Sequence, residues 1–95
     1  MSAYMIVKLN FRDLAWSKDY LAQVPAMLRR YGGEYLARSR TVERFEGAAA
    51  IPDHVAILTF PSLEAIGQFV NSPEYAPFRS ARIASTVSDI VAFET

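Results

Sequence analysis

Residues 54–60, HVAILTF, are a nearly unbroken apolar run of strand-forming residues, stopped at once by Pro61. A strand with one wet face alternates apolar and polar positions, and this one hardly does. It therefore belongs in the middle of a sheet, covered on both faces. The rest of the chain must supply strands on either side of it and material to cover it.

Residues 3–11, AYMIVKLNF, supply one such strand. Ala3, Met5, Val7, Leu9 and Phe11 share one face; Tyr4, Ile6, Lys8 and Asn10 share the other. The first set is the more uniformly apolar and is expected on the helix side. Asp13 is the expected N-cap of the following helix. Trp16, Tyr20, Val24, Met27, Leu28 and Tyr31 then recur at helical spacing. Pro25 is predicted to interrupt that helix and bend it near Leu21, and Gly32-Gly33 to end it. Residues 34–44 read as a second strand whose alternation is blurred by arginines, as suits a sheet edge. Residues 46–53 form a loop with Gly47 and Pro52. Ser62 is the expected N-cap of a helix carrying Leu63, Ile66, Phe69 and Val70 on its apolar stripe. Ser72, Pro73 and Glu74 fit the cap, first position and first turn of a further short helix running to Ala84. Thr86–Glu94 is the last strand.

The order is βαββαβ with one extra short helix. Right-handed crossovers turn that order into an α+β ferredoxin-like sandwich, a four-stranded antiparallel sheet with helices on one face, in a single domain over residues 1–95. Two main helices cover one side only. Strands about 4.8 Å apart and about 17–20 Å long leave a bare face on the order of 300–400 Å², close to the largest apolar patch a soluble monomer tolerates. With 52% hydrophobic and 13% aromatic residues, the chain has more apolar side chains than so small an interior holds. The expected cover is a second copy under two-fold symmetry, a homodimer closing a barrel between sheet faces. Lys8 and Asn10 then lie near the seam, where buried polar groups need partners.

Ten basic and ten acidic residues balance, so no net charge favours nucleic acid or an anionic membrane. Residues 29–44 lean basic without the aromatic–basic motif of an RNA-binding sheet. The chain has no cysteine, which removes thiol catalysis, disulfides and cysteine–zinc sites, and its one histidine cannot build a multi-histidine metal site. No metal or cofactor is expected. No apolar run reaches membrane-spanning length and no signal-peptide pattern opens the chain, so the cytoplasm is the expected location.

Several motifs, in order, resemble the DUF1330 family of the dimeric α/β-barrel superfamily. They are Asp13 after the first strand, Tyr20…Val24-Pro25…Tyr31-Gly32-Gly33, Tyr35-Leu36-Ala37-Arg38, Glu46-Gly47, Phe60-Pro61-Ser62, Ser72-Pro73-Glu74-Tyr75 and Arg82. The resemblance implies a ferredoxin-like fold that dimerises through its sheets, and no settled activity. The chain departs from the family at Leu14, where proline is usual, at Ser17, where tyrosine is usual, and at Thr59, where an acid often precedes the Phe-Pro-Ser turn.

Related dimeric barrels include cofactor-free enzymes of small aromatic or polyketide-like molecules. The resemblance thus implies a cofactor-independent enzyme or binder of a small aromatic or oxo-compound; the alternative is a non-catalytic dimeric accessory or regulatory module. A flat phenolic ligand is expected among Tyr4, Trp16, Tyr20, Tyr31 and Tyr75. Arg38, Arg82 or Lys8 would stabilise developing negative charge, and His54 is the one near-neutral general base. With Asn10 and Thr59, these form the candidate set: Tyr4, Lys8, Asn10, Tyr20, Arg38, His54, Thr59, Tyr75 and Arg82. The plain alternatives are core packing for the aromatics, ion pairs of Arg38 and Arg82 with Glu46, Glu74 or Asp89, and an exposed, inert His54. Ser72 is set aside as a nucleophile because its cap role accounts for it.

Overall fold

The computed structural model describes residues 2–95. The elements run β1 (Ala3–Phe11), α1 (Ser17–Arg29), β2 (Glu34–Ser39), β3 (His54–Phe60), α2 (Leu63–Val70), α3 (Ala76–Ser85) and β4 (Thr86–Glu94). The strands form one antiparallel sheet in the order β2-β3-β1-β4, so β3 and β1 are central, as their apolar content requires. β2 lies at one edge.

The helix side of the sheet carries Ala3, Met5, Val7 and Leu9 from β1 and Ala56, Leu58 and Phe60 from β3, all buried. Val24 and Leu28 of α1 and Ile66 and Phe69 of α2 close over them. The opposite face of β3 is only half covered, because Val55, Ile57 and Thr59 alternate with the buried residues and no helix reaches that side.

Several local expectations shift. Asp13 does not cap α1 directly. Its Oδ1 accepts from the Ala15 amide at 3.0 Å in a preceding turn, and the helix starts at Ser17. α1 runs unbroken through Pro25. It ends as expected, with Gly32 at φ 81° and the Gly33 amide donating to the Leu28 carbonyl at 2.9 Å. β2 stops at Ser39 rather than continuing to residue 44, and residues 41–53 connect the strands irregularly. Asp53 pins that connection to β1, its carboxylate accepting from the Phe11 amide and its amide donating to the Leu9 carbonyl, both at 2.9 Å. Ser62 caps α2, accepting from the Ala65 amide at 3.0 Å. Ser72 opens a turn, and α3 begins only at Ala76. The Ser72 hydroxyl accepts from the Tyr75 amide at 3.4 Å and donates to the Phe69 carbonyl at 2.8 Å.

Candidate functional site

A β-bulge in β2 decides which side chains enter the space between α1 and the sheet. Tyr35 pairs with Leu58, but Ala37 rather than Leu36 pairs with Ile57, so Leu36 is the extra residue. In a regular strand Tyr35 and Arg38, three residues apart, would point to opposite faces. Because the ladder passes over Leu36, both fall on the helix side, and the Arg38 guanidinium carbon lies 5.5 Å from the centre of the Tyr35 ring. The blurred alternation of this segment has that cause.

The space they enter is a cavity of about 380 Å³ between α1 and the sheet, within the usual range for small-molecule sites. At its open end stand Arg38, Arg40 and His54, with Phe11 and Trp16. The Arg40 guanidinium lies 5.0 Å from the centre of the Phe11 ring, and the His54 and Trp16 rings lie 6.2 Å and 6.3 Å from it. The Trp16 indole N–H donates to the Asp13 carbonyl at 2.9 Å, which fixes the ring at the start of α1. Deeper in, the Tyr20 and Tyr75 hydroxyls share a hydrogen bond of 2.5 Å. Tyr75 is 1% exposed and stacks on Phe69 at 4.3 Å. Arg82, 4% exposed, completes the buried end. A second cavity, of about 450 Å³, lies among α2, α3 and β4 and shares Met5, Tyr75, Arg82 and Ile90 with the first.

The electrostatics follow from burial. Burial and the neighbouring Tyr75 push the Tyr20 phenol far above its ordinary value of 10.0, and the positive charge of Arg82 opposes this only weakly. Tyr35 is also raised, mainly by burial. His54 is lowered by partial burial and then by Arg40 and Arg38, so its imidazole is neutral at pH 7.

The candidate residues divide between two places. Tyr20, Arg38, His54, Tyr75 and Arg82 line the cavity, as does Trp16. Tyr4, Lys8, Asn10 and Thr59 lie on the opposite face of the sheet. Tyr4 pairs with Thr59 and Phe93 and stacks on the Phe93 ring at 5.4 Å, Lys8 pairs with Val55 and Asp89, and Asn10 pairs with Val87. The Asn10 amide nitrogen donates to the Ile51 carbonyl at 3.0 Å and so ties down the long connection. Tyr31 packs on Phe69 at 6.0 Å and does not line the cavity. Neither Arg38 nor Arg82 forms an ion pair with Glu46, Glu74 or Asp89; Glu74 pairs with Arg30, the one ion pair among the described residues. Tyr35 and Arg40 are cavity residues the sequence reading passed over. The signal for Tyr35 was present in the irregular alternation around Leu36, which marks a bulge.

The outer face is apolar over much of its extent. Leu36, Val87, Val91 and Phe93 are 61%, 53%, 62% and 48% exposed, and Ile6 sits between Ile57 and Val91 in the register. Among the described residues no group of His, Cys, Asp and Glu is arranged to hold a metal ion. No helix among them is long and apolar enough to cross a membrane.

The architecture is that of a ferredoxin-like α+β sandwich with an aromatic-lined cavity beneath its first helix. The chain belongs to the DUF1330 family, a domain of unknown function, whose model matches residues 2–95. Among solved structures it is similar to a protein of unknown function from Rhodopseudomonas palustris, with TM-score 0.81 and 18% identity over 99% of this chain and 82% of that one. It is similar to a dimeric ferredoxin-like protein of unknown function from a Jannaschia species, with TM-score 0.73 and 15% identity over 100% of both chains. It is also similar to SnoaB, a cofactor-independent oxygenase from Streptomyces nogalater, with TM-score 0.67 and 17% identity over 99% of this chain and 92% of that one. No curated protein matches the sequence.

Proposed function

We propose that the protein is a homodimer joined through its outer sheet faces, each copy binding a small, flat aromatic or oxo-compound beneath α1. The observation that carries the binding reading is the 380 Å³ cavity, walled by rings and ending in the Tyr20–Tyr75 hydroxyl pair. A well-formed apolar pocket with a few convergent polar groups is the usual form of a small-molecule site. The neutral His54 imidazole at the open end is the general base if the ligand is turned over. SnoaB, a cofactor-independent oxygenase of the same fold, makes chemistry without a bound cofactor a coherent use of such a cavity.

The dimer reading rests on the uncovered apolar face and on a dimeric neighbour of the same fold. A second copy covers Val91, Phe93, Ile6 and Ile57 with their own equivalents.

The chain's single tryptophan, Trp16, stands at the cavity wall and reports on occupancy. Phenols, quinones and short oxoacids are titrated while Trp16 fluorescence and melting temperature are followed. Saturable quenching with a rise in melting temperature is expected for flat ring compounds, and a series with neither refutes the binding reading. Sedimentation at micromolar concentration is expected to give a dimer, and Val91→Asp a folded monomer. A wild-type monomer overturns the assembly.

A further inference from the structure

Arg82 is a buried cation without an anion. It is 4% exposed, and the one ion pair among the described residues is formed elsewhere, by Arg30 and Glu74. Its Nη1 donates to the Ser88 hydroxyl at 2.7 Å, while its Nε is buried with no hydrogen-bond partner at all. Ser88 in turn bonds the Thr86 hydroxyl at 2.6 Å, and Thr86 donates to the Arg82 carbonyl at 2.7 Å. That closed chain fixes one end of the guanidinium and leaves the buried Nε unmatched. A charge held in a poorly solvated interior is costly unless an opposite charge meets it, and among the described residues none does.

The cavity wall has the same bias. It includes Arg38, Arg40 and Arg82, and no aspartate or glutamate. The chain as a whole is neutral, with ten basic and ten acidic residues, so this one-sided lining is local.

We propose that the ligand of this cavity is an organic anion, an aromatic carboxylate, whose carboxylate is bound by Arg82 beside the Tyr20–Tyr75 hydroxyl pair. The inference rests on the binding reading above and specifies the chemical class it takes. A planar guanidinium matches a carboxylate with two parallel hydrogen bonds, and the unpartnered Nε supplies a donor for one of them. The raised Tyr20 phenol keeps its proton, so the hydroxyl pair offers a donor to an anion rather than a competing charge. Arg38 and Arg40 at the open end attract the anion, and the apolar wall between the two ends takes its ring. Arg82 is here a binding residue, and Ser88 a positioning residue that acts through it.

The test compares 2-naphthoate with its neutral isostere 2-naphthamide, read by Trp16 quenching, which reports on this cavity and not the second, and by melting temperature. The wild type is expected to bind naphthoate at least about tenfold more tightly, as befits a charge-assisted bond. Arg82→Met is expected to erase that preference while the ligand-free melting temperature holds or rises, because an unpaired buried charge leaves the interior. Ser88→Ala is expected to weaken naphthoate severalfold and leave naphthamide unchanged, and it carries the test if Arg82→Met fails to fold. Equal affinity for the two compounds overturns the anion inference and leaves the binding reading standing. Binding of neither overturns both. A preference for naphthoate that survives in Arg82→Met, or an unchanged preference in Ser88→Ala, overturns the assignment of the carboxylate to Arg82.

Discussion

Removing one hydroxyl from the Tyr20–Tyr75 pair tests whether the buried end of the cavity is organised as described. The two phenols share one hydrogen bond of 2.5 Å, but their surroundings differ. Tyr75 is 1% exposed, packed between Tyr20 and Phe69. Tyr20 is half-buried as a residue and lines the cavity, so a water entering the cavity can take the place of its partner. Tyr20→Phe therefore strands the deeper hydroxyl, and a buried hydroxyl without a partner costs about 1–3 kcal/mol. Tyr75→Phe leaves the Tyr20 hydroxyl free to take a water, so its cost is the net worth of one hydrogen bond, about 1 kcal/mol or less. In the double variant no hydroxyl is stranded, and its stability should match that of Tyr75→Phe. The coupling between the sites then equals in size the cost of Tyr20→Phe, about 1–3 kcal/mol. For a domain of this size each kcal/mol moves the melting temperature by roughly 4–8 °C, well within the reach of calorimetry or urea titration. Equal costs for the two single variants, or costs that simply add, would refute the assignment of Tyr75 as the stranded partner.

Other predictions follow from the same geometry. The Tyr20 phenol is raised above 10.0 in the fold, so above that pH the unfolded chain releases a proton that the folded chain keeps; stability should fall as pH rises past 10.0, less steeply in Tyr20→Phe. His54 is lowered below 6.5, so its contribution is present above 6.5 and lost as pH falls through its depressed folded value; denaturant midpoints of His54→Gln should be flatter on the acid side of 6.5. A Cβ at Gly33 would lie 2.6 Å from two atoms of the buried Phe60 ring and 3.0 Å from the Leu28 carbonyl oxygen, so Gly33→Ala should cost about 1–3 kcal/mol by chemical denaturation, and an unchanged midpoint would contradict the close approach of β2 to β3. Ser62→Ala should cost about 1 kcal/mol through the lost cap of α2, and Ser62→Asp should restore most of it.

Much of the fold was legible because the hydrophobic pattern and the physics of layers agree. The near-continuous apolar run at 54–60 predicted a central strand, and the alternation at 3–11 correctly sent Met5, Val7 and Leu9 to the helix side. The caps were read less well where a serine or aspartate serves a turn before the helix rather than its first residue, as at Asp13 and Ser72; the hydrogen-bonding chemistry is the same and the offset is a few residues. The reach of β2 was overestimated because Arg40, Thr41 and Val42 suit a strand as well as a loop, and only tertiary pairing with β3 decides. For the cavity, Tyr20, Tyr75, Arg38 and His54 were in view, but nothing local distinguishes a tyrosine facing a cavity from one on the other side of the sheet, such as Tyr4. The isolation of Arg82 from every acid was beyond reach, since Glu74 and Asp89 were equally plausible partners until the helices were placed.

The extra residue in the edge strand has a consequence for how such a chain can change. Leu36 is passed over in the pairing, so the edge strand carries one residue more than its partner matches, while the two inner strands keep their pairing. Removing it would leave Tyr35 opposite Leu58 and Arg38 opposite Ala56, both still looking into the hollow, with only the kink gone. A single-codon deletion at this position thus leaves the lining of the hollow and the buried layer as they were, and costs the edge only its kink.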